Sequence, residues 1–432
     1  MQAPLRRQIF SIAVPAVIAN LTTPLLGLID LAIVGHLGNE IYIAAIALGG
    51  SVFSMLYWIF AFLRMGTSGT TAQAYGAADP VRLGACFYRP LIISLAISAV
   101  ILALQAPLGD LLINFVADGD SASAPARIYY NLLIYGAPAT LGMYVISGYL
   151  IGCQNSRASM WVSLLINVVN IVASLLTVYC FGMEIKGVAL GSLIAQWTGF
   201  LVGLLYIISH YTPACQRLKQ LFNASALKSF FTLNGNIFIR TVCLVTVTVW
   251  FTRAGASQGA RILAANALLM QLFSLFTYFM DGFAYASEAI VGKYIGQRDA
   301  ATVRLTISQS LKIALWLSVA FTIIYFLLGN EIIAMLTSET EVRAVAADYR
   351  WWTVTIPLVS FGAFVYDGVF IGATKSSYML ATMIFATIAF FATWFGLRGL
   401  IGNHALWLAF ILYLLTRSIA SHLLAPRLTR RG

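Results

Sequence analysis

Long apolar runs separated by short polar ones dominate the pattern of this 432-residue chain. Twelve runs reach the roughly 20 residues that carry a helix across a bilayer: near 9–35, 41–63, 84–107, 127–152, 158–182, 187–209, 230–252, 262–291, 305–329, 344–372, 377–397 and 404–424. Twelve such helices use most of the chain and leave no soluble domain of ordinary size. The first run is too long and too interrupted for a cleaved leader and is expected to stay as a helix. The fold class predicted is an all-α integral membrane protein.

Composition agrees. The chain is 60% hydrophobic and 9% charged, with a mean hydropathy of +0.87, whereas soluble domains carry roughly 25% charged residues. An excess of 26 basic over 15 acidic residues suggests nucleic acid only until the charges are sorted by loop. Fifteen of the 26 fall in alternate loops on the side of the N-terminus, and the opposite loops carry acids such as Asp110, Asp118, Asp120, Glu339 and Glu341. That asymmetry places both termini in the cytoplasm and makes the basic balance a topology signal, with no nucleic-acid partner. The five cysteines are scattered without a C-x-x-C pair, so neither a metal site nor a disulfide framework is read.

The pattern also repeats. Shifted by 220 residues, "IAAIALGGSVFS" (43–54) falls on "LAANALLMQLFS" (263–274), "YGAAD" (75–79) on "IGQRD" (295–299), and "GYLIGCQNS" (148–156) on "GVFIGATKS" (368–376). Six helices plus six is the architecture: two pseudo-symmetric bundles, residues 1–209 and 230–432, joined by a polar cytoplasmic linker at 210–229. An even number of helices per half makes this a parallel repeat. A G-x-x-x-G pair recurs at the end of the fourth helix of each half, and glycines four apart let another backbone approach closely. Two such bundles imply a cleft with alternating exposure, which favours a secondary transporter over a channel. No H-E-x-x-H, G-x-S-x-G or Walker A pattern is present, so no catalytic residue is named and an enzyme is not expected.

Polar residues inside the spans carry the candidate chemistry. A charge at a bilayer centre costs between ~3 and over ~10 kcal/mol by different measures, so such residues pair or work. In the first helix Thr23, Gly27 and Asp30 share a stripe, and Pro15 and Pro24 each remove a backbone hydrogen bond, making that helix the one expected to bend. In the fifth, Ser163, Asn167, Asn170, Ser174 and Thr177 recur every three or four residues as one polar face. The second half offers Arg240, Tyr278, Asp281, Tyr285, Glu288 and Asp367, read as a salt-bridge network in which Arg240 compensates one or two acids. Asp30 differs: its repeat counterpart is Trp250, and the sequence places no base near it. Desolvation disfavours the charged form of such a carboxyl, which suits it to take up and release a proton.

The interrupted first helix ending "GLIDLAIVGHLG", the stretch "DGFAYASEAIVGKYIGQRD" and the six-plus-six repeat together resemble the multidrug and toxic compound extrusion (MATE) family of the MOP type, in its DNA-damage-inducible protein F branch. The likeness covers essentially the whole chain. It implies a V-shaped pair of six-helix lobes in a bacterial inner membrane, exporting lipophilic, often cationic compounds in exchange for protons or sodium ions. It further implies that Asp30 is the cation-coupling acid, that the helix bends at Pro15, and that Asn170, Ser192 and Tyr129 belong to the first lobe's network. Ser174 stands where relatives often carry a second acid. The expectation is a monomeric, cofactor-free antiporter with the proton as coupling ion. A sodium-coupled exporter, a flippase for lipid-linked precursors and a non-transporting receptor or scaffold are the alternatives.

Overall fold

The computed structural model describes residues 2–35, 40–116, 122–214 and 221–428, with the side chains of 2, 3, 23, 25, 26 and 40 outside the described set. Among the described residues the chain is helical without strands. Twelve spans are long and apolar enough to cross a membrane: α1 (Pro4–Gly35), α2 (Ile41–Gly76), α3 (Pro80–Ala103), α4 (Ser123–Gly152), α5 (Ser156–Cys180), α6 (Glu184–Tyr211), α7 (Ala224–Ala256), α8 (Ala260–Gly296), α9 (Ala300–Leu336), α10 (Thr340–Gly372), α11 (Ser376–Ile401) and α12 (Asn403–Leu428). The apolar runs located these spans to within a few residues, except where polar ends extend the helices. α9, for example, continues seven residues past the run, through 330–336.

The first six spans are more broken than the last six. A 3-10 turn at Ile59–Ala61 interrupts α2, another at Ile134–Gly136 interrupts α4, and α5 finishes in a π-turn over Leu176–Cys180. α8, α9 and α10 run without such breaks. Pro15 and Pro24 leave α1 helical throughout.

Two compact units emerge, with bounds that differ from the division at 209 and 230. One unit is Ile18–Ser229; the other joins Met1–Val17 to Phe230–Gly432. The first half of α1 thus belongs with the second half of the sequence, for a packing reason. A Cβ added at Gly282 of α8 would lie 2.4 Å from the Val17 side chain and 2.9 Å from the Ala13 carbonyl oxygen, so glycine there admits the α1 backbone. Phe10 meets Phe283 edge-on at 5.8 Å, and Arg6 Nε donates to Gln309 Oε1 at 2.8 Å. The described part of the linker lies with Ile18–Ser229. Arg89 Nε donates to the Leu221 carbonyl at 2.8 Å, and Gly84 sits directly under the Ala214 backbone.

The repeat holds inside each unit. At Gly148 and Gly152 of α4, an added Cβ would reach the Arg64 carbonyl oxygen at 2.4 Å and the Ser68 carbonyl oxygen at 2.8 Å, both on α2. At Gly368 and Gly372 of α10, it would reach those of Ala284 and Glu288 on α8, at 2.1 and 2.3 Å. All four contacts obey the 220-residue shift. So do four interhelical turns with non-glycine residues at positive φ: Ala78 (52°) and Gln154 (65°), Arg298 (59°) and Thr374 (52°). Each closes its helix with the same pair of bonds, as in Asp79 N–H to Ala74 O and Ala78 N–H to Tyr75 O, a Schellman motif.

Candidate functional site

Within the unit Ile18–Ser229 lies a cavity of ≈450 Å³ lined by α1, α2, α4, α5 and α6. Its polar residues are Asp30, Ser54, Tyr129, Asn170, Ser192 and Gln196, and its apolar lining includes Leu31, Ile46, Leu133, Ile166 and Ala195. Pro24 and Gly27 line it from the same helix as Asp30, so the stripe read along α1 does face a cavity. The Thr23 side chain lies outside the described residues.

The cavity's polar wall is built by close helix packing. Gly191 of α6 sits against Ser174 of α5, where an added Cβ would lie 2.3 Å from the Ser174 hydroxyl. That approach brings Asn170 Nδ2 within 2.8 Å of Ser192 Oγ, to which it donates, and Ser174 Oγ donates to Asn170 Oδ1 at 3.5 Å. Tyr129 lines the same cavity as Ser192 and Asp30. Thr177 Oγ1 ties α5 to α6 through the Gly187 carbonyl at 2.8 Å.

Asp30 itself is buried, and its Oδ1 has no hydrogen-bond partner among the described residues. Arg64 is not among the residues lining the cavity. Of the residues expected here, Asp30, Tyr129, Asn170, Ser192 and Pro24 line the cavity, and Ser174 supports Asn170 from behind. Asn167 does not line it: Ser163 and Asn167 are half-buried while Asn170, Ser174 and Thr177 are buried, so the polar face of α5 is used only in its later part. Pro15 lies on α1 away from the cavity lining.

Sequence reasoning missed Gln196. It stands one helical turn after Ser192, a spacing that puts both on one face of α6, and that was the available signal.

In the other unit the acids meet a different fate. Arg240 of α7 and Arg417 of α12 both donate to Asp367 Oδ2 of α10, the latter at 2.8 Å. Arg417 also lies 5.4 Å from the Tyr413 ring centre. The expected pairing of Arg240 with an acid is therefore present, with a second arginine that the sequence had not singled out. Glu288 is buried and Asp281 and Tyr285 are half-buried along α8; all three are engaged in interactions. A second knot joins α8 to α12, where Asn266 and Asn403 exchange carboxamide hydrogen bonds at 2.9 Å and Trp407 Nε1 donates to Asn266 Oδ1 at 2.9 Å.

A repeated twelve-span helical fold with a cavity of mixed polar and apolar lining fits a membrane transporter. Residues 15–176 and 236–393 match the MatE family, one segment in each half, and the chain belongs to that family, whose members are transporters and not enzymes. It is 35% identical to the DNA damage-inducible protein F of Escherichia coli K12 across 99% of this chain and 93% of that protein. It is 25% identical to the probable multidrug resistance protein NorM of Thermotoga maritima across 79% of this chain and 74% of that one. Among solved structures, the outward-facing conformation of a multidrug resistance MATE transporter of the MOP superfamily matches with a TM-score of 0.89 at 19% identity, over 99% of this chain and 97% of that one.

Proposed function

We propose that this multidrug efflux transporter of the MATE family exports lipophilic cationic compounds in exchange for protons by alternating access, with Asp30 as the protonation site. One observation carries the reading: the buried Asp30 carboxyl, whose Oδ1 has no hydrogen-bond partner among the described residues, lines a cavity of ≈450 Å³. A lone carboxylate suits a proton. A sodium ion wants about six oxygen ligands if hard cations of similar size are a guide, and the amino-terminal site holds Ser174 where a second acid would add charge. Asp367 is already engaged by two guanidinium groups, which weighs against a sodium site around it. The relatives' names, a multidrug resistance protein among them, support the substrate class, and the Escherichia coli relative supports a bacterial inner membrane. The charge asymmetry of the loops supports cytoplasmic termini.

Coupling runs through α1. The boundary between the two compact units falls inside it, between Val17 and Ile18, two residues past Pro15, and Pro24 lines the cavity two turns before Asp30. Each proline removes one backbone bond, which brings straight and bent forms closer in energy. Protonating Asp30 shifts that balance only if the proton binds the two forms with different affinity. Everted membrane vesicles with separately imposed proton and sodium gradients test the reading. Export follows the proton gradient in the wild type and stops in well-folded Asp30→Asn. Undiminished export by that variant, or strict sodium dependence at constant pH, overturns it.

A further inference from the structure

The cavity lining carries a second unmatched polar group besides Asp30. Gln196 lines the cavity, and its carboxamide oxygen is buried with no hydrogen-bond partner among the described residues. The 3-10 turn that interrupts α4 ends at Gly136, and this glycine receives the carboxamide: a Cβ there would lie 1.8 Å from Gln196 Oε1. Gln196 is thus seated by a break in α4 and left without a protein partner, whereas Asn170 and Ser192 satisfy each other. Contact with a substrate requires the carboxamide to turn its oxygen away from Gly136 and into the cavity, which the broad, two-fold terminal torsion of glutamine permits.

We infer that Gln196 is a substrate-contacting residue that sets specificity, and that Asp30 and Gln196 together select ammonium ions bearing N–H donors over quaternary ammonium ions. Asp30 in its charged form and the Gln196 oxygen are both acceptors. A secondary ammonium has two N–H groups and satisfies both; a quaternary ion brings charge to Asp30 and leaves both acceptors without a donor. A site with an acceptor to satisfy rejects the analogue that lacks the donor more strongly than an apolar wall rejects an extra methyl. The apolar lining from Leu31, Ile46, Leu133 and Ile166 accommodates the hydrocarbon body of either ion. Protonation of Asp30 turns an acceptor into a donor and so opposes an ammonium, which places Gln196 inside the exchange cycle as the acceptor that does not titrate. This inference rests on the cavity being the substrate site.

The test is equilibrium binding to the purified full-length protein, without any gradient, of propranolol as a secondary ammonium and of its N,N-dimethyl quaternary analogue. Wild type prefers propranolol by about tenfold, the factor for one net hydrogen bond. Gln196→Leu removes most of that preference by weakening propranolol alone, with quaternary affinity within about twofold of wild type. Gln196→Met, close in shape, gives the same result, and Gly136→Ala, which displaces the carboxamide without removing it, also lowers the ratio. Thermal unfolding identifies variants that have lost their fold, and the ratio is read from those that keep it. Equal affinities in the wild type, or loss of both ligands in parallel in folded Gln196→Leu and Gln196→Met, overturns the inference. Binding without a gradient is blind to the coupling ion, so a sodium-driven or Asp30-independent cycle would defeat the proposed exchange and leave this result standing.

Discussion

Asp30 and Asp367 are nearly equally buried, at 7% and 8% relative exposure, yet they live opposite lives. Asp367 accepts from two arginines on two other helices; Asp30 Oδ1 has no hydrogen-bond partner among the described residues and lines a cavity. Burial therefore does not tell these two acids apart, and partners do. The helices around them differ in the same sense. The unit holding Asp30 has α2 and α4 interrupted by 3-10 turns and α5 ending in a π-turn, irregularities that often mark functional segments. In the other unit α8, α9 and α10 are uninterrupted and polar groups close on one another, as in the Asn266–Asn403 pair.

Removing each acid gives the largest contrast. Asp367→Asn leaves two buried guanidinium groups facing a neutral amide, and breaking a buried pair from one side typically costs about 3–5 kcal/mol. Folded yield and thermal unfolding in detergent should fall sharply. Asp30→Asn breaks no ion pair among the described residues, so its unfolding curve should lie close to wild type while export stops. Two variants that unfold alike, or an Asp367→Asn protein as stable as wild type, would erase the distinction.

Glycine contacts give the next largest effect and test whether the repeat is equally tight in both units. Gly368→Ala drives its Cβ to 2.1 Å from the Ala284 oxygen, with the Ala284 carbonyl carbon and Cα next nearest, all backbone. Gly148→Ala meets the Arg64 oxygen at 2.4 Å, with the Thr67 side chain also among its near neighbours. Overpacking typically costs about 1–3 kcal/mol. Both alanines should destabilise, Gly368→Ala more, because backbone cannot rotate away. The reverse order in thermal unfolding would mean that the interrupted unit is the stiffer one.

Much of this was legible in the chain. Spans follow from apolar length, and the 220-residue shift foretold that the paired glycines would meet a neighbouring backbone, which they do at corresponding atoms in both units. Asp30 and Asn170 stood out because polar residues in hydrocarbon must find one another or a cavity, and Ser192 came only with the family resemblance. Arg417 and Gln196 escaped for a common reason. Their importance lies in groups far away along the chain, Asp367 in one case and Gly136 in the other, and helical period reports only which face a residue shares. The assignment of residues 1–17 to the second unit is likewise set by a notch at Gly282, which no pattern within α1 can disclose. The 3-10 turn at Ile59–Ala61 contains neither proline nor glycine, so no local signal marks it.

The smallest expected effect uses one copy of the repeat to repair another. Asn155 and Lys375 occupy corresponding N-cap positions with nearly the same backbone, φ −109° and ψ 60° against φ −101° and ψ 54°. Asn155 Oδ1 accepts from the Ala158 amide at 3.1 Å, and its Nδ2 reaches the Tyr206 and Tyr211 hydroxyls at 3.0 Å. Lys375 makes no side-chain cap, and the Tyr378 amide that corresponds to Ala158 donates instead to the Lys375 carbonyl at 3.0 Å. Lys375→Asn sets a side-chain acceptor on a backbone already shaped for it and should stabilise by less than the usual worth of such a cap, about 1 kcal/mol, because the Tyr378 amide already has a backbone acceptor. The converse change, Asn155→Lys, should cost more than that, because it also strips two tyrosine hydroxyls of their donor. Thermal unfolding of the two variants side by side measures the asymmetry. If Lys375→Asn gains nothing while Asn155→Lys loses only a cap's worth, the tyrosine bonds contribute little and the two units differ less at their turns than at their acids.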